Sequence, residues 1–230
     1  MAFDLSPPRD CQECPRLAAY RAANRLEHPD WANAPVESWG AADARLLIVG
    51  LAPGLRGANR TGRPFTGDFA GDLLYETLIS KGFAKGLYDR RPDDGLTLVD
   101  CAIVNAVRCV PPQNKPTPQE ISTCRHYLTT AIGALTNLKA VLALGRIAHD
   151  SALKAMAMRL AAFPFAHGAI HRLPNGVAFF DSYHCSRYNT NTGVLTPAMF
   201  AEVFSAVRRH IGKAPESRRQ QGVALTDRRV

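Results

Sequence analysis

Apolar positions along the chain fall into short unbroken runs and into longer stretches where they recur every three or four residues. Leu46-Leu-Ile-Val49 and Ala140-Val-Leu-Ala-Leu144 are apolar throughout, and each is followed by a glycine, Gly50 or Gly145. Short runs of this kind, ended by a breaker, predict strands buried on both faces. Leu96 to Val107 is strand-like through Leu98, Val99, Ile103 and Val104, and Val177-Ala-Phe-Phe180 is a fourth strand. Between the strands the period becomes helical. Asp68 to Lys81 places Leu73, Leu74, Thr77 and Leu78 on one face. Thr117-Pro-Gln-Glu120 predicts a helix start, with Thr117 as cap, Pro118 in the first turn and Glu120 completing a capping box; that helix runs to about Leu135. A further helix follows Gly145 through Met158. Thr196-Pro197 opens the last one, with Phe200, Val203, Phe204 and Val207 inward. Residues 1–43, with Pro7, Pro8, Pro15, Pro29 and Pro35, are predicted irregular, with short helical stretches at most.

Buried strands alternating with helices predict an α/β fold: a single-domain three-layer sandwich with a central, mostly parallel short β-sheet flanked by helices. The predicted domain covers 1–212, followed by a basic tail, 213–230, expected to be disordered. Ligands of such sheets bind beyond the carboxyl ends of the strands. Gly50, Asn105, Gly145 and His184 all fall at or near such ends and are expected to converge on one crevice.

The 230 residues are 46% hydrophobic, enough for one sizeable core. No apolar run approaches the ~20 residues of a membrane span. The first residues lack the apolar core of a secretory signal, so a cytoplasmic protein is expected. In a reducing compartment the six cysteines are read as ligands, reactive groups or core residues rather than as disulfides. Net charge is +8, which suits a partner made of phosphates. Part of the excess sits in the tail, at Arg218, Arg219, Arg228 and Arg229.

Three segments carry candidate chemistry. Cys11 and Cys14 form C-x2-C, and Cys109 and Cys124 follow about a hundred residues later. Two such knuckles would suggest zinc. The wide second spacing favours an iron–sulfur cluster, which accepts scattered thiolates, and Cys14-Pro15 resembles the Cys-Pro pair of cluster sites. Zinc and plain core packing are the alternatives; Cys101, inside a strand, reads as packing. The second segment runs from Gly50 to Asp68. It is neither a Walker A nor a G-x-G-x-x-G sequence. Its glycines permit close backbone approach, Arg60 and Arg63 suit phosphates, and Phe65 suits a stacked base. An N-cap is the bland reading of Asp68. The third segment, Ser182 to Thr196, places His184 before a polar, basic loop that includes Tyr188. The remaining histidines read as structural, on the weakest grounds for His167 and His171.

Together these residues resemble the uracil-DNA glycosylase superfamily, and most closely its family 5. The resemblance rests on Gly50-Leu-Ala-Pro-Gly54, Asn59-Arg-Thr-Gly-Arg-Pro-Phe-Thr-Gly-Asp68, Asn105-Ala-Val-Arg-Cys109, Asn114-Lys-Pro-Thr-Pro118, Ser182-Tyr-His184 and Thr192-Gly-Val-Leu-Thr196. It covers roughly residues 11 to 211. Family 4 carries Glu where this chain has Leu51. The resemblance implies a monofunctional glycosylase that excises uracil and further deaminated bases, such as hypoxanthine and xanthine, from double- or single-stranded DNA, acting as a monomer. It implies a 4Fe-4S cluster on Cys11, Cys14, Cys109 and Cys124. It assigns Asp68, Asn105 and His184 to catalysis. Gly50, Leu51, Ala52, Gly54, Asn59, Arg63, Phe65, Arg187, Tyr188 and Asn189 would bind substrate. One departure is Cys185, where the family usually has proline after the histidine. The competing classes are a uracil-only enzyme like family 4 and a non-catalytic iron–sulfur DNA-binding or sensor protein.

Overall fold

The computed structural model describes residues 6–212; the tail expected over 213–230 lies outside them. The strands are β1 (Trp39–Gly40), β2 (Leu46–Gly50), β3 (Ala84–Lys85), β4 (Thr97–Leu98), β5 (Cys101–Asn105), β6 (Ala140–Leu144), β7 (Ile170–Arg172) and β8 (Ala178–Ser182). The α-helices are α1 (Pro15–Glu27), α2 (Ala58–Thr61), α3 (Phe69–Ser80), α4 (Pro118–Ala134), α5 (Arg146–Ala155), α6 (Arg187–Asn191) and α7 (Pro197–Ile211). The main sheet has the order β1-β5-β2-β6-β8-β7, and β3 and β4 form a small separate ribbon.

The inner strands β5, β2, β6 and β8 run parallel, and the edges β1 and β7 are antiparallel. Each inner strand is buried at every position, because both sheet faces are covered. Alternation along the strands divides the core in two. Leu46, Ile48, Ile103, Leu142 and Phe180 pack with α3 and α7. Leu47, Val49, Val104, Val141 and Phe179 pack with α4 and α5. The α/β sandwich expected from the sequence is therefore the observed architecture. Helix starts follow their caps: Thr117 and Glu120 form the capping box of α4, and the Thr196 side chain caps α7 by accepting from Met199 N–H.

Two expectations need correction. The N-terminal stretch contains a 13-residue helix, α1. Its buried face is Leu17, Ala18, Arg21 and Asn24, so half of that face is polar and leaves no apolar stripe in the sequence. The predicted strand over Leu96–Val107 is two strands in two sheets. The break lies at Asp100, whose φ is 59°; its carboxylate is held by Arg45 at 2.6 Å and Arg208 at 3.2 Å. The edge strands β1 and β7 are too short to leave a periodic signal.

Candidate active site and cysteine cavity

β2 and β6 are neighbours whose chains leave in opposite directions along the sheet, and the crevice beyond their carboxyl ends is where this architecture places ligands. A pocket of about 330 Å³ opens there, within the size range of small-molecule sites. Leu51, Ala52, Gly54, Phe65, Asp68, Asn105, His184 and Arg187 all line it.

Phe65 has a left-handed backbone, φ 51°, which is costly for a bulky residue and persists only where the surroundings fix it. Four contacts do so. The Arg63 guanidinium is locked on Asp94 at 2.7 Å and lies 4.8 Å over the Trp39 ring. Tyr75 Oη donates to the Pro64 carbonyl. Tyr88 Oη donates to the Phe65 carbonyl at 3.3 Å. Gly71 leaves room for that carbonyl, since a Cβ there would lie 1.8 Å from it. The Phe65 ring lies 6.2 Å, centroid to centroid, from that of His184.

This packing corrects the reading of Arg63 as a substrate ligand. Its side chain is buried, it neutralises Asp94, and it does not reach the pocket. The hydrogen bond from Arg63 holds the Asp94 carboxyl well below the usual carboxylate range. Asn59 is also turned inward and does not line the pocket: its Nδ2 donates to Asn33 Oδ1 at 2.9 Å.

Asp68 both caps a helix and lines the pocket. It is the N-cap of α3, with Oδ1 accepting from Gly71 N–H at 3.2 Å. Its Oδ2 lies over Gly54 and Gly57, where added Cβ atoms would stand 2.8 and 2.3 Å away. Burial raises the Asp68 pKa, and the hydrogen bond from Gly71 only partly opposes this. Asn105 ends β5, is buried, and its Oδ1 has no hydrogen-bond partner. Burial lowers the pKa of His184 and favours the neutral ring.

Gly50 lies beneath the pocket. A Cβ there would stand 2.4 Å from Asn105 Oδ1 and 2.6 Å from Phe65 Cζ. Gly50→Ala is therefore expected to displace Asn105 and Phe65 and to lower stability by about 1–3 kcal/mol, the range for overpacking. Thermal unfolding checks this; a wild-type midpoint for G50A contradicts it.

The segment after His184 splits. Arg187 lines the pocket with its guanidinium 5.3 Å over the Phe69 ring. Tyr188 stands outside at 74% exposure. Asn189 faces an adjoining cavity, and its Nδ2 donates to the His184 carbonyl at 2.8 Å. The sequence reading left Asn114 and Ser186 out of the site, and both line the pocket. Asn114 follows Gln113 with φ values of 57° and 55°; the signal for this turn was the Pro-Pro-Gln-Asn run.

Cys11, Cys14, Cys109 and Cys124 line one separate, small cavity of about 20 Å³, together with Leu17, Arg21 and Tyr127. Burial pushes the thiols of Cys14, Cys109 and Cys124 up to about 11. Two donors are aimed at sulfur: Arg21 Nη1 at Cys109 Sγ, 3.3 Å, and the Arg108 N–H at Cys124 Sγ, 3.4 Å. Among the described residues no group of three His, Cys, Asp or Glu is set to hold a single metal ion.

Comparison with known proteins follows the same lines. Residues 37–208 match the family model described as the Uracil DNA glycosylase superfamily. The chain is 44% identical over 209 residues to a type-5 uracil-DNA glycosylase of Thermus thermophilus, covering 88% of this chain and 94% of that protein. It is 39% identical over 198 residues to the type-5 enzyme of Pyrobaculum aerophilum, covering 84% and 86%. The type-5 enzyme of Mycobacterium tuberculosis is 38% identical over 211 residues, covering 88% of this chain and 78% of its own length. The family match spans most of the sheet and every element that borders the pocket, and on that ground the chain belongs to the uracil DNA glycosylase superfamily.

Proposed function

We propose that this protein is a monofunctional DNA glycosylase of type 5, a hydrolase that releases uracil, and also hypoxanthine and xanthine, from DNA in base excision repair. The observation that carries the reading is the meeting of Phe65, Asp68, Asn105 and His184 on one pocket. A purely DNA-binding protein has no use for this combination. The relatives' activity as type-5 uracil-DNA glycosylases points the same way.

In this reading the damaged nucleotide leaves the stack at a cost of a few kcal/mol, less for a mispaired uracil. The base stacks on Phe65, and the Asn105 amide, unpartnered at Oδ1, hydrogen-bonds its polar edge. Cleavage leaves negative charge on the base and positive charge on the sugar. A neutral His184 donates a hydrogen bond to the base. Asp68, with Oδ1 committed to the helix cap, uses Oδ2 to stabilise the sugar and orient the attacking water. The water oxygen bonds to the anomeric carbon as the glycosidic bond breaks, and the base leaves with a proton. Leu51 supplies no polar group. Arg187 and Tyr188 are assigned to the DNA beside the flipped nucleotide, with Asn189 bracing His184 from behind. The net charge of +8 suits a phosphate backbone, and affinity is expected to fall with salt.

Cys11, Cys14, Cys109 and Cys124 are assigned to a 4Fe-4S cluster. The donor set fits: four thiols share a cavity, and N–H groups face two of the sulfurs. The four irons of a cluster take one thiolate each, and four thiols line the one cavity. The group would serve to hold α1 and the Cys109 loop together.

The direct test is base release from labelled duplexes carrying uracil opposite guanine, hypoxanthine or no damage, with single strands in parallel. Release of both damaged bases, and of neither normal partner, is the expected result. Uracil alone would restrict the protein to a type-4-like range. DNA binding without release would leave the sensor reading standing.

A further inference from the structure

The backbone that presents His184 has already left the sheet. The last paired residue of β8 is Ser182, opposite Leu144 of β6. Beyond it the strand ladder no longer satisfies the main-chain polar groups, and individual groups do so instead. The Ser182 carbonyl accepts from Gly145 N–H at 2.8 Å. The Tyr183 carbonyl accepts from Ser182 Oγ at 2.9 Å. The His184 carbonyl accepts from Asn189 Nδ2 at 2.8 Å. The Tyr183 N–H donates to His167 Nδ1 at 3.1 Å, and the two rings stack at 5.0 Å with 26° between their planes. The turn bearing His167 is pinned in turn, since Gly168 N–H donates to the Asp181 carbonyl at 2.9 Å and Asp181 N–H donates to the Ala169 carbonyl at 3.1 Å.

We propose that His167 is a positioning residue for His184, holding by its Nδ1 the Ser182–Tyr183 peptide, one residue before the His184 ring. The inference rests on the reading of His184 as the group that meets the departing base. Of the side chains that hold this segment, His167 is the one imidazole, the group whose ordinary pKa lies nearest neutrality. Its Nδ1 can accept only while it carries no proton, so the neutral ring must hold its hydrogen on Nε2. Protonation would set a donor against the Tyr183 N–H and break the bond. The charged group acting on His167 is Glu202 of α7, and the backbone of Met199 faces it from the same helix. Both favour the protonated ring, but burial outweighs them and keeps the pKa of His167 below its ordinary value. From β8, Ser182 Oγ stands 3.5 Å from Nδ1 and the Tyr183 ring covers one face. The Asp181 carboxylate is engaged by His149 at 2.7 Å and faces His171 at 3.5 Å. The bond is thus intact near pH 7 and opens as pH falls.

The test compares His167→Asn, which can offer an oxygen near the place of Nδ1 and cannot titrate, with His167→Leu, which fills space without an acceptor. Single-turnover excision of uracil is followed between about pH 5 and pH 8, with DNA affinity measured alongside. H167L is expected to lose about tenfold in rate near pH 7 with affinity unchanged. H167N is expected to retain the rate there and to decline less than the wild type in acid. H167N as slow as H167L, H167L as fast as wild type, or identical acid limbs for wild type and H167N would each overturn the inference. Including H184A separates the two levels. A slow H184A beside a fast H167L removes only the role of His167, whereas a fast H184A removes the reading beneath it.

Discussion

Replacing Asp68 by Asn is expected to slow base release by about a hundred- to a thousandfold, the size of loss when one charge-stabilising group is removed from an active site, while raising stability at neutral pH. The two effects come from different oxygens. Oδ1 caps α3 through the Gly71 N–H, and Asn caps as well as Asp, so the helix is retained. Oδ2 faces Gly54 and Gly57, Asp68 lines the pocket, and the proposed mechanism uses the charge on Oδ2. Burial raises the Asp68 pKa, so the folded protein holds that proton more tightly than the unfolded chain does. The contribution of Asp68 to stability is then full below the unfolded pKa and is lost as pH rises through the folded one. At neutral pH the ionised carboxylate is a net cost, which D68N removes. Thermal unfolding of both proteins should show a gain for D68N near pH 7 that shrinks as the buffer is made acidic. A D68N protein with wild-type turnover would remove Asp68 from the mechanism.

Cys109→Ser is expected to have the largest effect on stability. The helix α1 has little apolar attachment of its own: Leu17 and Ala18 are the only hydrophobic residues it buries. Its remaining ties are polar. Arg16 bonds Glu120 at 2.7 Å with the arginine 42% exposed, a pair worth at most about 1 kcal/mol. Arg21 spans the Cys11 carbonyl and Cys109 Sγ. Just before the helix, Glu13 accepts from Tyr127 Oη at 2.7 Å. A cluster on the four cysteines would supply the strongest link between this segment and α4. Losing one ligand should cost more than about 4 kcal/mol, the range reached when a metal is lost. Iron content should fall from about four per chain to a small fraction of that, and limited proteolysis should cut within α1. Full iron and an unchanged unfolding temperature in C109S would remove Cys109 from the ligand set.

The inner strands were legible because both faces are covered, which forces every residue of Leu46–Gly50 and Ala140–Leu144 to be buried and hence apolar. The capping box of α4 was legible because its partners are three residues apart. α1 was not, because half of its buried face is polar: Arg21 reaches the Cys11 carbonyl and Cys109 Sγ, and Asn24 Nδ2 donates to the Tyr20 carbonyl one turn back. Asp100 interrupts its strand through contacts with Arg45 and Arg208, which local sequence cannot reveal.

The same division runs through the site. Residue type and local spacing by themselves determined the α/β class, the inner strands β2 and β6 and the cap at Asp68, because propensity and capping are properties of neighbours in the chain. The tertiary structure decided which loop residues face the pocket. It turned Arg63 and Asn59 inward, because Asp94 and Asn33 stand 2.7 and 2.9 Å away. It also brought Asn114 to the pocket and His167 beneath Tyr183. A buried charge or amide must be paired wherever its partner arises along the chain, and only the fold brings such partners together.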